Sequence, residues 1–247
     1  MTATLPSSSV STARMASTSA AVSVQSQVRA DVKSHPKKVI AMGDSLIYGY
    51  GDSEGGGWVD RLRLRWMNPE QPGPVLYNLG VRGDGVVQVA KRLESEFCDR
   101  GELRHRKPDI LVLSVGVNDS ARAGRPTGRP VTAIDIFERE LDGLLERASQ
   151  LCPVYFVGMV PVEEAAMPFA NILYFTHAEQ RHYRDVTKML CEQHQVPYLD
   201  LYEQWTQHDA HWVGDRLCSD GIHPNPLGYK TILGSVRTWQ PFMQALA

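Results

Sequence analysis

Apolar residues recur along this 247-residue chain in two alternating rhythms. Five short runs are of strand length: Val39–Met42, Val75–Asn78, Asp109–Val115, Val154–Val160 and Tyr198–Leu201. Apolar runs this short predict buried strands. Between them, apolar positions step by three and four, the spacing of one helix face. Val86, Ala90, Leu93 and Phe97 form one such stripe. Ile134, Phe137, Leu141, Leu144, Leu145 and Ala148 form a second, with Thr132 and Asp135 placed to cap its start. Tyr183, Val186 and Leu190 form a third, opened by Thr176 and Glu179 at capping-box spacing. Tyr229, Ile232, Leu233, Val236 and Trp239 form the last. There Asn225 suits the N-cap and Pro226 the first helical position, where a missing N–H is harmless. Trp58–Trp66, of mixed charge, predicts a further helix.

Strands alternating with helices predict an α/β domain, its five-stranded, mostly parallel sheet covered on both faces. That pattern starts at Lys37. Residues 1–36 are rich in Ser, Thr, Ala and Val, with no aromatic residue and no acidic one before Asp31. Such a segment cannot bury enough apolar surface to offset its ordering entropy. It is expected to be a disordered extension ahead of one domain over 37–247. It lacks the basic start and continuous apolar stretch of a secretory signal. Its Ser-rich, acid-poor make-up is shared with transit peptides, but only Arg14 and Arg29 precede Lys33.

Composition narrows the function classes. A hydrophobic share of 43% excludes a mostly disordered chain. The 26 basic and 28 acidic side chains leave a net charge of −2, so no global field draws the protein to nucleic acid or anionic membrane. No apolar stretch approaches the roughly 18–20 residues that span a bilayer. Cys98, Cys152, Cys191 and Cys218 form no CxxC pair, which argues against a zinc knuckle or a thioredoxin-like site. Reduced thiols and a cytoplasmic location are expected. No sequence feature specifies an oligomeric state.

Parallel sheets place ligands at the carboxyl ends of their strands. Just past the first three strands lie Gly43-Asp44-Ser45-Leu46, Gly80-Val81-Arg82-Gly83 and Gly116-Val117-Asn118-Asp119. Asp220-Gly221-Ile222-His223 stands just before the last helix. Ester hydrolysis needs an activated nucleophile, a base, and fixed donors for the developing oxyanion. Ser45, between a strand and a Gly-rich turn, suits the nucleophile. Asp220 can hold one ring nitrogen of His223 and leave the other facing Ser45. The N–H groups of Ser45 and Gly80 and the amide of Asn118 suit the oxyanion.

These blocks resemble those of the GDSL, or SGNH, hydrolase family. Gly43-Asp44-Ser45-Leu46, Asn78-Leu79-Gly80 with Gly83, Gly116-Val117-Asn118-Asp119 and Asp220-Gly221-Ile222-His223-Pro224 stand in family order. The resemblance implies a flavodoxin-like three-layer α/β/α sandwich. It implies Ser45 as nucleophile, Asp220 as orienting carboxylate, His223 as base and then acid, and an oxyanion hole of Ser45, Gly80 and Asn118. It implies a serine esterase or lipase for small to medium acyl esters, without metal or cofactor. Acyl transfer or thioester cleavage would use the same acyl-enzyme.

Other chemistries fit less well. No Gly-x-Ser-x-Gly elbow surrounds Ser45. Gly80–Gly85 has the wrong glycine order for a dinucleotide fingerprint, and there is no Walker A motif. A metal-dependent phosphoesterase would draw on Asp44, Asn118, His177, His208, His211 and His223, but their spacing is poor. His208 and His211 are expected on the surface. A non-catalytic flavodoxin-like binding protein would leave the Asp220–His223 block unexplained. Three loops are expected to shape specificity. They are Tyr48–Gly57 with five glycines, Ala121–Pro130 with Arg122, Arg125 and Arg129, and Val162–Leu173 with Met167, Pro168 and Phe169. The first either moves on opening and closing or is a solvated loop, the second is more often simply exposed than a site for an anionic headgroup or coenzyme A, and the third either lines an acyl pocket or covers the core.

A histidine base predicts that kcat/KM rises with pH through the ordinary imidazole range; a flat profile from about pH 5 to 9 would contradict it.

Overall fold

Side-chain alternation along the strands divides the core in two. In chain order the strands are β1 (Lys38–Gly43), β2 (Val75–Gly80), β3 (Ile110–Ser114), β4 (Arg122–Ala123), β5 (Arg129–Pro130), β6 (Val154–Val157), β7 (Leu173–Tyr174) and β8 (Tyr198–Leu199). The computed structural model describes residues 1–2, 36–99 and 107–246. The extension expected over 1–36 lies, but for Met1, Thr2 and Pro36, outside the described residues. Five strands form one parallel sheet in the order β2-β1-β3-β6-β8. Ile40, Met42, Leu111, Leu113, Val154 and Phe156 point to one face. Their neighbours Val39, Ala41, Ile110, Val112, Tyr155 and Val157 point to the other. The period of two therefore gives each face its own apolar layer.

Helices cover both layers. They are α1 (Ser45–Tyr48), α2 (Gly57–Trp66), α3 (Val86–Asp99), α4 (Ile134–Leu151), α5 (His177–Gln193), α6 (Leu201–Thr206), α7 (Ala210–Gly214), α8 (Pro226–Thr238) and α9 (Gln240–Leu246). α3, α4 and α5 supply Leu93, Phe97, Phe137, Leu141, Tyr183 and Leu190 to the first layer. α2, α6, α8 and α9 supply Trp58, Val59, Trp205, Tyr229, Ile232 and Phe242 to the second. Burial of each such side chain is worth about 1.5–3 kcal/mol. The expected sandwich, and each long apolar stripe, is present.

Departures lie at element ends and in short pieces. Asn225 caps α8, accepting from the N–H groups of Leu227 and Gly228 at 2.9 and 3.0 Å. The α5 capping box is half made. Thr176 accepts from Glu179 N–H, but the Glu179 carboxylate pairs with Arg122 at 2.8 Å. Neither Thr132 nor Asp135 caps α4: Ala133 is its N-cap and makes no side-chain bond. The Thr132 hydroxyl instead donates to Asp119 Oδ1 at 2.7 Å, because a buried carboxylate is the stronger acceptor. A second sheet, β5-β4-β7, is antiparallel, and its two-residue strands are too short to show a period.

Asp119 is fully buried and also accepts from Val86 N–H, which opens α3. It thereby ties the end of β3 to the starts of α3 and α4. Asp119→Ala is expected to destabilise the protein by about 1–3 kcal/mol, because it strands the buried Val86 N–H and the half-buried Thr132 hydroxyl. Asp119→Asn, which keeps an acceptor, should lose less. Urea midpoints would show this, and equal losses in the two variants would contradict it.

Candidate active site

The sheet order creates a crevice. The chain runs from β1 outward to β2, then crosses back to β3, so the loops after β1 and β3 diverge. Ser45 stands there as the first residue of α1. Asp44 caps α1, its carboxylate accepting from Leu46 N–H at 2.9 Å. The Tyr229 hydroxyl donates to the carbonyls of Ser45 (3.3 Å) and Tyr50 (3.0 Å), fixing the backbone on either side of α1. A Cβ on Gly43 would lie 1.9 Å from the Ser114 carbonyl oxygen, so only glycine fits before this turn.

His223 and Asp220 arrive from the loop before α8. Cys218 N–H donates to the His223 carbonyl at 2.7 Å and closes that loop. Asp220 Oδ1 accepts from the N–H groups of Ile222 and His223, each at 3.0 Å. Asp220 Oδ2 lies 2.7 Å from His223 Nδ1, and His223 Nε2 lies 2.9 Å from Ser45 Oγ. Burial works against the Asp220 charge, but the bonds from the His223 ring and the two N–H groups outweigh it and hold the carboxyl at about 2. An ionised Asp220 can only accept, so Nδ1 carries the proton and Nε2 is left to take one from Ser45. Tyr50 and Phe169 meet the imidazole with ring centroids 4.6 and 6.0 Å away.

The expected oxyanion donors lie at or just past the ends of β1, β2 and β3. Gly80 ends β2 opposite Gly43, and a Cβ there would lie 2.1 Å from Tyr48 N. Its N–H donates to Asn78 Oδ1 at 3.0 Å, so an incoming oxyanion must share or displace that acceptor. Asn78 is itself held by Asp60 at 2.7 Å. Asn118 donates one amide hydrogen to the Asp84 carbonyl at 2.9 Å and keeps a second for a ligand. The Ser45 N–H, in the first turn of α1, has no acceptor within its helix.

Several residues that organise the site were not singled out from sequence. Arg92 donates to the carbonyls of Leu79 and Gly43, each at 2.9 Å, and pairs with Asp84 at 2.9 Å. It thus clamps the ends of β1 and β2, although on α3 it reads as an ordinary surface charge. Tyr229 reads as a core residue, and its position in an apolar stripe hides its hydroxyl's role. Asp52 accepts from the N–H groups of Glu54, Gly55 and Gly57 and from Arg61 at 2.6 and 2.8 Å. The Gly-rich loop Tyr48–Gly57 is therefore folded around a buried carboxylate.

The other two loops join. β4 and β5 lie in Ala121–Pro130, and β4 also pairs with β7 at the end of Val162–Leu173. Arg122 is neutralised by Glu179 and donates to the Gly128 carbonyl. Glu163 N–H donates to the Gly221 carbonyl at 2.7 Å, linking the joined loops to the His223 loop. A cavity of about 1410 Å³ does not touch Met167, Pro168 or Phe169. It lies along the β2 edge beside Tyr48, Tyr50, Trp66, Asn78, Gly80 and Asp220. A smaller one of about 390 Å³ is lined by Gly83, Asn118, Arg129 and Thr132 among others.

The residues weighed as metal ligands do not converge. His177 meets the Tyr202 hydroxyl at 3.1 Å, His208 stacks on Trp212, and His211 faces Asp215 at 3.2 Å. His208 and His211 are exposed, as expected. Among the described residues no three His, Cys, Asp or Glu side chains group to hold a metal ion.

Residues 41–231 match the family model described as the GDSL-like Lipase/Acylhydrolase family. A comparison with curated proteins found no match. Among solved structures, a lipase/acylhydrolase from Enterococcus faecalis is 21% identical with a TM-score of 0.64, covering 81% of this chain and 93% of its own. A lipolytic G-D-S-L family protein from Veillonella parvula is 20% identical with a TM-score of 0.61, covering 83% and 98%. The psychrotrophic esterase EstA from a Pseudoalteromonas species is 16% identical with a TM-score of 0.59, covering 84% and 99%. At these identities the likeness concerns the fold.

Asp44 carries a pH signature. Burial raises its carboxyl from the ordinary 3.8 to about 7; the Leu46 N–H works against that rise, and the Asp119 and Asp84 charges add to it. A folded value above the unfolded one means the folded state holds the proton more tightly. Its contribution is therefore full below the ordinary value and is lost as pH rises through about 7. Asp44→Asn, which keeps the cap acceptor, is expected to gain stability relative to wild type from pH 4 to pH 7.5 or so. Urea midpoints across that range would show it, and a constant difference would contradict it.

Proposed function

Because the chain belongs to the GDSL-like lipase/acylhydrolase family, we propose that it is a serine ester hydrolase acting on small to medium acyl esters. The observation that supports this reading best is the continuous chain Asp220–His223–Ser45, with contacts of 2.7 and 2.9 Å.

In the proposed reaction His223 Nε2 takes the Ser45 proton as Oγ attacks the acyl carbon. Asp220 steadies the imidazolium that forms. Negative charge gathers on the carbonyl oxygen, which faces the N–H groups of Ser45 and Gly80 and the Asn118 amide. The imidazolium then protonates the departing alkoxide, leaving an acyl group on Ser45. Water, activated by the same imidazole, releases the acid. A thiol leaving group, or an acceptor alcohol in place of water, would follow the same course. Nothing in these steps calls on a metal or a cofactor. The cavity along β2 offers room for the bulkier part of the substrate. No helix among the described residues is long and apolar enough to cross a membrane. The four cysteines are free thiols, in keeping with a cytoplasmic setting.

Hydrolysis of p-nitrophenyl esters from acetate to palmitate tests the proposal. Wild type should turn over the shorter esters, Ser45→Ala should fall to background, and EDTA should change nothing. Asn118→Ala should lower kcat by about 100–1000-fold with a smaller effect on KM. Loss of activity in EDTA with survival in Ser45→Ala would overturn the mechanism in favour of metal chemistry.

A further inference from the structure

Most arginines near the crevice are neutralised. Arg61 pairs with Asp52, Arg63 with Asp60, Arg92 with Asp84 and Arg122 with Glu179. Arg82 differs: it is exposed, and among the described residues no carboxylate pairs with it. Its guanidinium carbon lies 3.7 Å from the centroid of the Tyr50 ring. That ring meets the His223 imidazole edge-on, with centroids 4.6 Å apart.

The backbone beneath Arg82 is held on both sides. Val81 N–H donates to the Gly43 carbonyl at 2.9 Å, and Asp84 N–H to the Val81 carbonyl at 3.2 Å. Arg82 thus occupies the corner of a tight turn, followed by Gly83 at φ +83°. Asp84 is anchored in turn by Arg92 and Asn118. Tyr50 is anchored by the Tyr229 hydroxyl. Stacking fixes the plane of a guanidinium while leaving its N–H edge free, and that edge matches a carboxylate or phosphate. An unneutralised, oriented cation therefore stands one aromatic ring away from the proposed base.

We propose that Arg82 is a specificity-determining residue that selects esters bearing an anionic group, carboxylate or phosphate, within a few bonds of the scissile carbonyl. The proposal rests on the ester hydrolase reading. It adds the substrate class: a charged ester in preference to its neutral counterpart.

Matched pairs test it. With 3-acetoxybenzoate and methyl 3-acetoxybenzoate the anion is on the leaving group; with monoethyl glutarate and ethyl pentanoate it is on the acyl group. For at least one pair, wild type should favour the anionic member in kcat/KM. Arg82→Gln should cut that preference about tenfold, chiefly through KM, the size of one charge-assisted hydrogen bond at an exposed site. Arg82→Lys should retain part of it, and raising the salt should erode it. Calorimetry of the same esters on Ser45→Ala, with and without Arg82→Gln, reads recognition without turnover. If wild type cleaves nothing yet Ser45→Ala binds the anionic ester in an Arg82-dependent way, anion selection stands and the hydrolase reading falls. If wild type cleaves both members of each pair equally, or Arg82→Gln leaves the preference intact, anion selection is overturned. It is overturned equally if Arg82→Gln weakens both members alike, because Arg82 then only braces Tyr50 against His223.

Discussion

The site depends on how closely the backbone approaches itself where β1, β2 and β3 end. A Cβ at Gly43 would overlap the Ser114 carbonyl, and one at Gly80 would overlap Tyr48 N. These two glycines, partners across β1 and β2, let α1 sit flush on the sheet rim. Ser45 is then at the crevice floor, within reach of a histidine supplied 178 residues later in the chain. An added methyl at either position would lift α1 and break the 2.9 Å contact between Ser45 and His223.

The walls are stiffened by charged groups that are buried or half-buried. Arg92 bridges the ends of β1 and β2, Asp119 links β3 to two helices, and Asp52 gathers the N–H groups of the Gly-rich loop. Each meets several donors or acceptors, which is the condition under which a buried ion is tolerated. The result is a crevice with braced walls, in which the Gly80 N–H is held by Asn78 until an incoming acceptor shares or displaces it.

What was legible in the sequence follows length and repetition. The stripe from Phe137 to Ala148 and the runs Val39–Met42 and Val154–Val160 carry enough periodic positions to fix element type and inner face, although β6 itself ends at Val157. The blocks around Ser45, Gly80, Asn118 and His223 each follow a strand or precede a helix, so the rule for parallel sheets brought them to one edge. What stayed hidden was non-local. Thr132 looked like a cap, but a carboxylate from another loop claimed its hydroxyl. The β4–β7 pairing joins segments fifty residues apart through two residues each, which no local pattern records. Asp52 and Arg92 look like any surface charge until their partners are known. The engagement of Gly80 N–H by Asn78 was equally out of reach.

Covalent capture of the proposed nucleophile is the most direct test of this account. Wild-type protein treated with diethyl p-nitrophenyl phosphate should gain the mass of one diethylphosphoryl group. Peptide mapping should place it on Ser45, and Ser45→Ala should gain none. No adduct on wild type, or an adduct that persists in Ser45→Ala, would contradict the claim that Asp220 and His223 activate Ser45.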